Sequence, residues 1–220
     1  MDLEFLQKYY KFFLTGTLNT LLISFFGVIF GVVIGVFLAL MKMSRFRLLS
    51  KISTAYIEVI RGTPLMVQLF IIYIGLPKVT GIPFPDMTLG IIAVSLNSAA
   101  YVAEVIRAGI QSVDKGQMEA ARSLGMPYNM AMRYIIIPQA LKNILPALGN
   151  EFIVLVKESA IVSVIGVPEL MYRADTVRGI SYKPFAPLIV AAAIYFIITF
   201  TLSKLVAKLE RRLSTGDSRA

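Results

Sequence analysis

From Phe12 to Met41 the chain carries no charged residue. About 20 apolar residues are enough to cross a bilayer as a helix, so this run predicts a membrane span over about Gly16 to Met41. Ahead of it, Asp2 and Glu4 stand beside Lys8 and Lys11. That mixture, and an apolar run too long for a signal-peptide core, predict a span that is retained. Inside the span Gly27, Gly31 and Gly35 recur at every fourth residue, which lets another helix approach closely along one face.

The rest of the chain has the same character. Of 220 residues 57% are hydrophobic and 16% charged, the balance of an integral membrane protein. With no Cys and no His, the sequence excludes disulfides, thiol chemistry and most transition-metal sites. A Cys–His or Ser–His nucleophile is likewise ruled out. No G-x-x-x-x-G-K-[ST] phosphate loop occurs. The net charge of +9 is assigned to loops facing anionic lipid rather than to nucleic acid.

Lys42, Arg45, Arg47 and Lys51 follow the first span with no acid among them, which predicts a cytoplasmic loop. A second span is expected over about 54–76, kinked or broken at Pro64. The near-neutral, turn-rich stretch from Pro77 to Met87 then lies outside. A third span covers about 88–106, a fourth about 144–165 and a fifth about 185–206, with Lys204, Lys208, Arg211 and Arg212 in a basic cytoplasmic tail. The external loop before the fifth span holds Arg173, Arg178 and Lys183 and fits the charge rule least well. The expected fold is therefore all-α and polytopic: one transmembrane domain over 1–220, five helices, N-terminus out and C-terminus in. No internal repeat supports an inverted-repeat transporter.

Ionisable groups inside a span cost roughly 2.5–3.5 kcal/mol each on insertion scales, so each needs a reason. Glu58 with Arg61, and Glu104 with Arg107, stand at i,i+3 and are expected to form local ion pairs. Glu151 has no such neighbour and lies roughly 13 Å along a helix from Lys142, close to the bilayer midplane. Its carboxylate must be protonated, meet a cation from another helix or await a cationic ligand. Glu158 follows on the same face. On the third span Asn97, Tyr101 and Glu104 share one side. Asn97 and Tyr101 either hydrogen-bond between helices or face Glu151 across a cavity. Glu151, Asn97, Tyr101 and Glu158 are the candidate solute-binding residues.

The longest stretch without a span runs from Glu119-Ala120-Ala121-Arg122-Ser123-Leu124-Gly125 through Pro127 to Ile135-Ile136-Ile137-Pro138. It predicts a short helix stopped by Gly125 and a second helical piece from Pro127, on the cytoplasmic side.

Glu119, Ala120, Ala121, Gly125, Ile135 and Pro138 match the pattern E-A-A, three residues, Gly, nine residues, I-x-L-P. This resembles the EAA loop of the membrane subunits of bacterial ABC importers, with Ile137 in place of the usual Leu. The stretches RGTPLMVQ and SAAYVAEVIRAGIQSVDKGQMEAARSLG resemble the polar amino acid permease branch, and the similarity extends over almost the whole chain.

The resemblance implies a subunit of the bacterial cytoplasmic membrane that pairs with a second permease subunit, identical or a close paralogue. It also implies two ABC ATPase subunits and an extracytoplasmic solute-binding protein. The region about 114–127 would be a coupling helix, with Glu119, Ala120, Ala121, Arg122, Leu124 and Gly125 docking the ATPase. ATP and Mg would sit on that partner, so this chain is expected to be neither an enzyme nor a cofactor binder. Glu151 favours basic amino acids as substrates, with glutamine-like solutes second. An ATP-independent secondary transporter or channel, and an assembly scaffold, are the competing readings.

Overall fold

The computed structural model describes residues 3–214; Met1, Asp2 and residues 215–220 lie outside them. Every regular element among the described residues is helical. The charge-free run forms part of α1 (Leu3–Lys42), 40 residues long, about 60 Å of helix. It packs along α4 (Asp86–Gln111), the most deeply buried of the long helices.

The glycine stripe makes that seam. A Cβ on Gly27 would come within 3.0 Å of Val94, and one on Gly35 within 2.6 Å of Val102. Only glycine lets the two backbones lie so close, which is the small-residue packing that replaces the hydrophobic effect between helices in lipid. Ala93, Val94, Ala99, Ala100, Val102 and Ala103 of α4 are consequently sealed.

The stretch expected as the second span is not a straight rod. α2 (Arg47–Gly62) ends at Thr63, Pro64 starts α3 (Leu65–Thr80), and the two axes meet at 110°. Pro64 has no amide to continue the ladder and forces its predecessor into the extended region, where Thr63 lies at φ −122°, ψ 147°. The carbonyls released there are taken by Gln68, whose Nε2 donates to Ile60 O at 2.7 Å and to Thr63 O at 3.0 Å.

After α4 come the short α5 (Lys115–Ser123) and α6 (Tyr128–Ala131). A π turn over Met132–Ile136 leads into α7 (Ile137–Glu158). The wider turn directly precedes Pro138, which cannot donate an i→i−4 bond, and such bulges are a common way to absorb that loss. α7 runs into a 3₁₀ turn over Ser159–Ile165. The chain closes with α8 (Leu170–Ser181) and α9 (Ala186–Ser214). Phe5, Tyr9 and Phe13 of α1 pack with α8 and α9, while Ala39 and Ile57 close the other end against α4.

By length and composition α1, α4 and α9 can each cross a membrane, and the bent α2–α3 pair can supply a fourth crossing. The exteriors of α1 and α9 are apolar, with Leu14, Leu18, Phe30, Phe37, Phe196 and Phe200 exposed. Apolar exteriors of this kind suit burial in lipid or against another apolar surface rather than contact with water.

Candidate functional site

Polar groups inside the bundle converge on α4. Glu151 of α7 accepts a hydrogen bond from Ser98 Oγ at 2.9 Å. Ser98 is fully buried and stands directly beneath Gly31, where a Cβ would meet its Oγ at 2.8 Å. The glycine of α1 thus makes room for the hydroxyl that holds the carboxylate of α7. Among the described residues no cation pairs with Glu151.

Asn97, one residue before Ser98, points to another helix. Its Nδ2 donates to Gln68 Oε1 at 2.9 Å, bracing the side chain that caps the α2–α3 break. That leaves Oδ1 of Asn97 as an acceptor. Tyr101 is part-exposed, with the guanidinium of Arg61 5.5 Å from its ring centroid. Glu158 and Lys157 are both exposed at the far end of α7.

Glu104 completes the α4 stripe. Its carboxylate gathers Lys42 of α1, Arg107 of its own helix at 2.8 Å, and Arg61 of α2 at 3.9 Å. The expected Glu104–Arg107 pair is present. The expected Glu58–Arg61 pair is not: Arg61 turns across to α4, and Glu58 stays exposed. Glu104 is only 17% exposed, so its attraction for Arg61 is screened less by solvent than that of the exposed Glu58.

The polar stretch after α4 is built as a short helix with both ends satisfied. Asp114 caps α5 by accepting from Gly116 N at 2.7 Å. At the other end Met126 N bonds Ala121 O at 3.1 Å and Gly125 N bonds Arg122 O at 3.0 Å, the paired bonds of a Schellman stop. Gly125 has φ 86°, the left-handed conformation that makes glycine the favoured residue there. Ala121 is buried, whereas Glu119, Ala120, Arg122, Leu124 and Gly125 are exposed. Leu124 is 85% exposed, a large apolar side chain on an otherwise polar element. A cavity of about 540 Å³ opens at the start of α5, lined by Ile110, Asp114, Lys115, Met118, Tyr128 and Met132 among others.

Three residues that matter here carry no signal in sequence reasoning: Ser98, Gln68 and Glu169. Glu169 is fully buried and caps α8 through Met171 N at 2.8 Å and Tyr172 N at 2.7 Å. It also accepts from Tyr195 Oη of α9 at 2.9 Å and from Thr20 Oγ1 of α1 at 3.4 Å. Burial pushes its carboxyl up, against the opposing pull of those four donors. One side chain therefore ties α1, α8 and α9 together.

Residues 31–215 match the family described as the binding-protein-dependent transport system inner membrane component, and the chain belongs to that family. A Rickettsia bellii protein named as a glutamine transport system permease is 50% identical, over 92% of this chain and 93% of its own length. The arginine transport system permease of Bacillus subtilis is 46% identical, over 94% of each chain. A chain from the crystal structure of an amino acid ABC transporter with histidines is 56% identical and superposes with a TM-score of 0.92, covering 96% of this chain and 99% of that one. The all-helical architecture is that of an ABC permease subunit. Permease subunits of this family are not the catalytic part of their transporters, whose ATPase is a separate chain.

Proposed function

We propose that this permease is the membrane subunit of an ATP-driven importer of polar amino acids, basic ones first, and that Glu151 holds the cationic end of the solute. Relatives named for arginine and glutamine transport support the substrate class. The observation that favours a cation is Glu151 itself, a carboxylate on a membrane helix whose hydrogen-bond donor is the Ser98 hydroxyl. A guanidinium or ammonium would supply the missing counter-charge, the former in two parallel hydrogen bonds. Asn97 Oδ1 and the Tyr101 face would take the remaining polar groups, and Glu158 would draw the cation toward the site from its exposed position. Glutamine-like solutes remain the second reading, since they would use the same acceptors through the α-ammonium.

In this reading five crossings are formed by α1, the α2–α3 pair, α4, α7 with its 3₁₀ turn, and α9. The N-terminus lies outside and the C-terminus in the cytoplasm of a bacterium. A second permease subunit covers the side of α7 that exposes Lys157 and Glu158, groups too costly to leave in lipid. A binding protein delivers solute from outside. Two ATPase subunits dock α5 with Glu119, Ala120, Arg122, Leu124 and Gly125 at the contact and Ala121 packing the helix onto its own chain. ATP and magnesium belong to those subunits. Their closure moves α5 and the helices joined to it as a body, switching access between two packed states.

Arginine uptake by the assembled transporter in proteoliposomes tests the site. Removing the charge of a desolvated ion pair costs roughly 2–5 kcal/mol. Glu151→Gln should therefore weaken arginine uptake at least thirtyfold while ATP hydrolysis by the assembly persists. Full arginine uptake by that variant would sink the assignment.

A further inference from the structure

From Lys42 to Lys51 the chain carries four cations and no acid. Lys42 is engaged with Glu104. Arg45, Arg47 and Lys51 are exposed and form no ion pair among the described residues. Interleaved with them are Phe46, Leu48 and Ile52, which are 75%, 71% and 52% exposed.

At 100° per residue Arg47 and Lys51 fall on one stripe in the first turns of α2, which reaches Glu58 only two turns further on, and Leu48 and Ile52 fall on the adjoining one. Ser53 and Ile57 lie on a third side, buried toward the bundle. A buried side, an exposed apolar side and a cationic side between apolar surface and water describe a helix seated at a membrane interface. Neutral headgroups would serve the apolar stripe alone. The cations need anions, and an anionic lipid surface attracts basic residues next to a span.

We propose that residues 45–52 form a binding surface for anionic phospholipid headgroups of the cytoplasmic leaflet. Arg45, Arg47 and Lys51 hold phosphodiester oxygens, and Phe46, Leu48 and Ile52 enter the acyl region beside them. The leaflet assignment rests on the orientation proposed above; the lipid chemistry does not. Arg61 lies on the same helix and reaches Glu104, so this surface anchors an element bonded to the core of α4.

Native mass spectrometry of the purified chain, released from micelles containing equal amounts of phosphatidylglycerol and phosphatidylcholine, tests this without any transport assay. Each engaged cation adds about fivefold to retention on an anionic surface. Wild type should keep phosphatidylglycerol at least tenfold over phosphatidylcholine, R45Q/R47Q/K51Q should lose the preference, and R45K/R47K should retain it. Equal retention of both lipids by wild type overturns the proposal, as does an unchanged preference in the glutamine variant. If the patch instead docks an acidic protein, wild type shows no lipid preference and the glutamine variant loses that partner on co-purification. A cysteine placed at Ser44 of this cysteine-free chain checks the leaflet separately. Labelling from outside intact cells would overturn the leaflet and the orientation while leaving the lipid result to stand or fall alone.

Discussion

Gly31→Ala is the substitution through which helix packing should reach the candidate solute site. The added methyl would lie 2.8 Å from Ser98 Oγ and 2.9 Å from Ser98 Cβ, both too close for carbon. Either α1 lifts from α4 or Ser98 turns away, and overpacking of this kind costs about 1–3 kcal/mol. At roughly 2–4 °C per kcal/mol for a chain of this size, the melting midpoint of the purified protein should fall by several degrees. If Ser98 turns, Glu151 loses its hydroxyl donor, a bond to a charged acceptor being worth about 1.5–3 kcal/mol. A second substitution, Ser98→Gly, separates the two effects. It frees the space the methyl needs, at about 1 kcal/mol for glycine within a helix, but supplies no donor. The double variant relieves the overlap but not the lost hydrogen bond, so its melting midpoint should match that of Ser98→Gly alone rather than fall further, and its arginine uptake should stay as weak as that of Ser98→Gly. Wild-type melting by Gly31→Ala would refute the tight seam. Recovery of uptake in the double variant would refute the role given to Ser98.

Three further outcomes follow from the other clusters. Leu124→Glu should leave thermal stability unchanged, because the side chain is 85% exposed, yet abolish co-purification of the ATPase. Gly125→Ala should cost about 1 kcal/mol through backbone strain alone, since nothing lies within 4 Å of the new methyl. Glu104→Gln leaves Lys42, Arg61 and Arg107 without the carboxylate they share, at a cost of order 1–3 kcal/mol in thermal unfolding. Added salt should restore part of it, because Arg61 is 46% exposed and screened readily.

The features readable from sequence are those in which one residue type dictates its own surroundings. A charge-free run must be a buried or lipid-facing helix, Pro64 must interrupt a ladder, and Gly125 at the end of a polar helix must take a left-handed turn. The glycine repeat declared a close helix contact without naming α4 as its partner. Pairings across helices were not legible. The i,i+3 spacing of Glu58 and Arg61 is as good as that of Glu104 and Arg107, but only the fold brings Glu104 within reach of Arg61. Ser98 differs from its neighbours only in standing opposite Gly31, and that register is tertiary. Glu169 escapes for another reason: glutamate is a poor statistical choice for a helix cap, so its two amide contacts had no local signature. The spacing of Asn97 suits interhelical bonding and solute contact equally, and in the fold its amide nitrogen donates to Gln68.

That division within Asn97 bears on how the two ends of the molecule can communicate. Gln68 caps the broken end of α2 and is itself braced by α4, so the bend at Pro64 cannot change without disturbing Asn97. α4 also holds Ser98 against Glu151, and a little further on Glu104, which ties in α1 and α2. From Ser98 to the end of α4 at Gln111 is roughly 20 Å of uninterrupted helix, and α5 starts four residues later. With α1 locked onto it by three glycines, α4 behaves as one stiff body rather than a chain of loose contacts. On the proposed docking of α5, its displacement would be passed along α4 toward Ser98 and Asn97, with the Pro64 break as the place where the bundle would yield. Amplification of a small shift requires such a pairing of a rigid body with a discrete joint, and here both are bonded to the residues that would hold the solute.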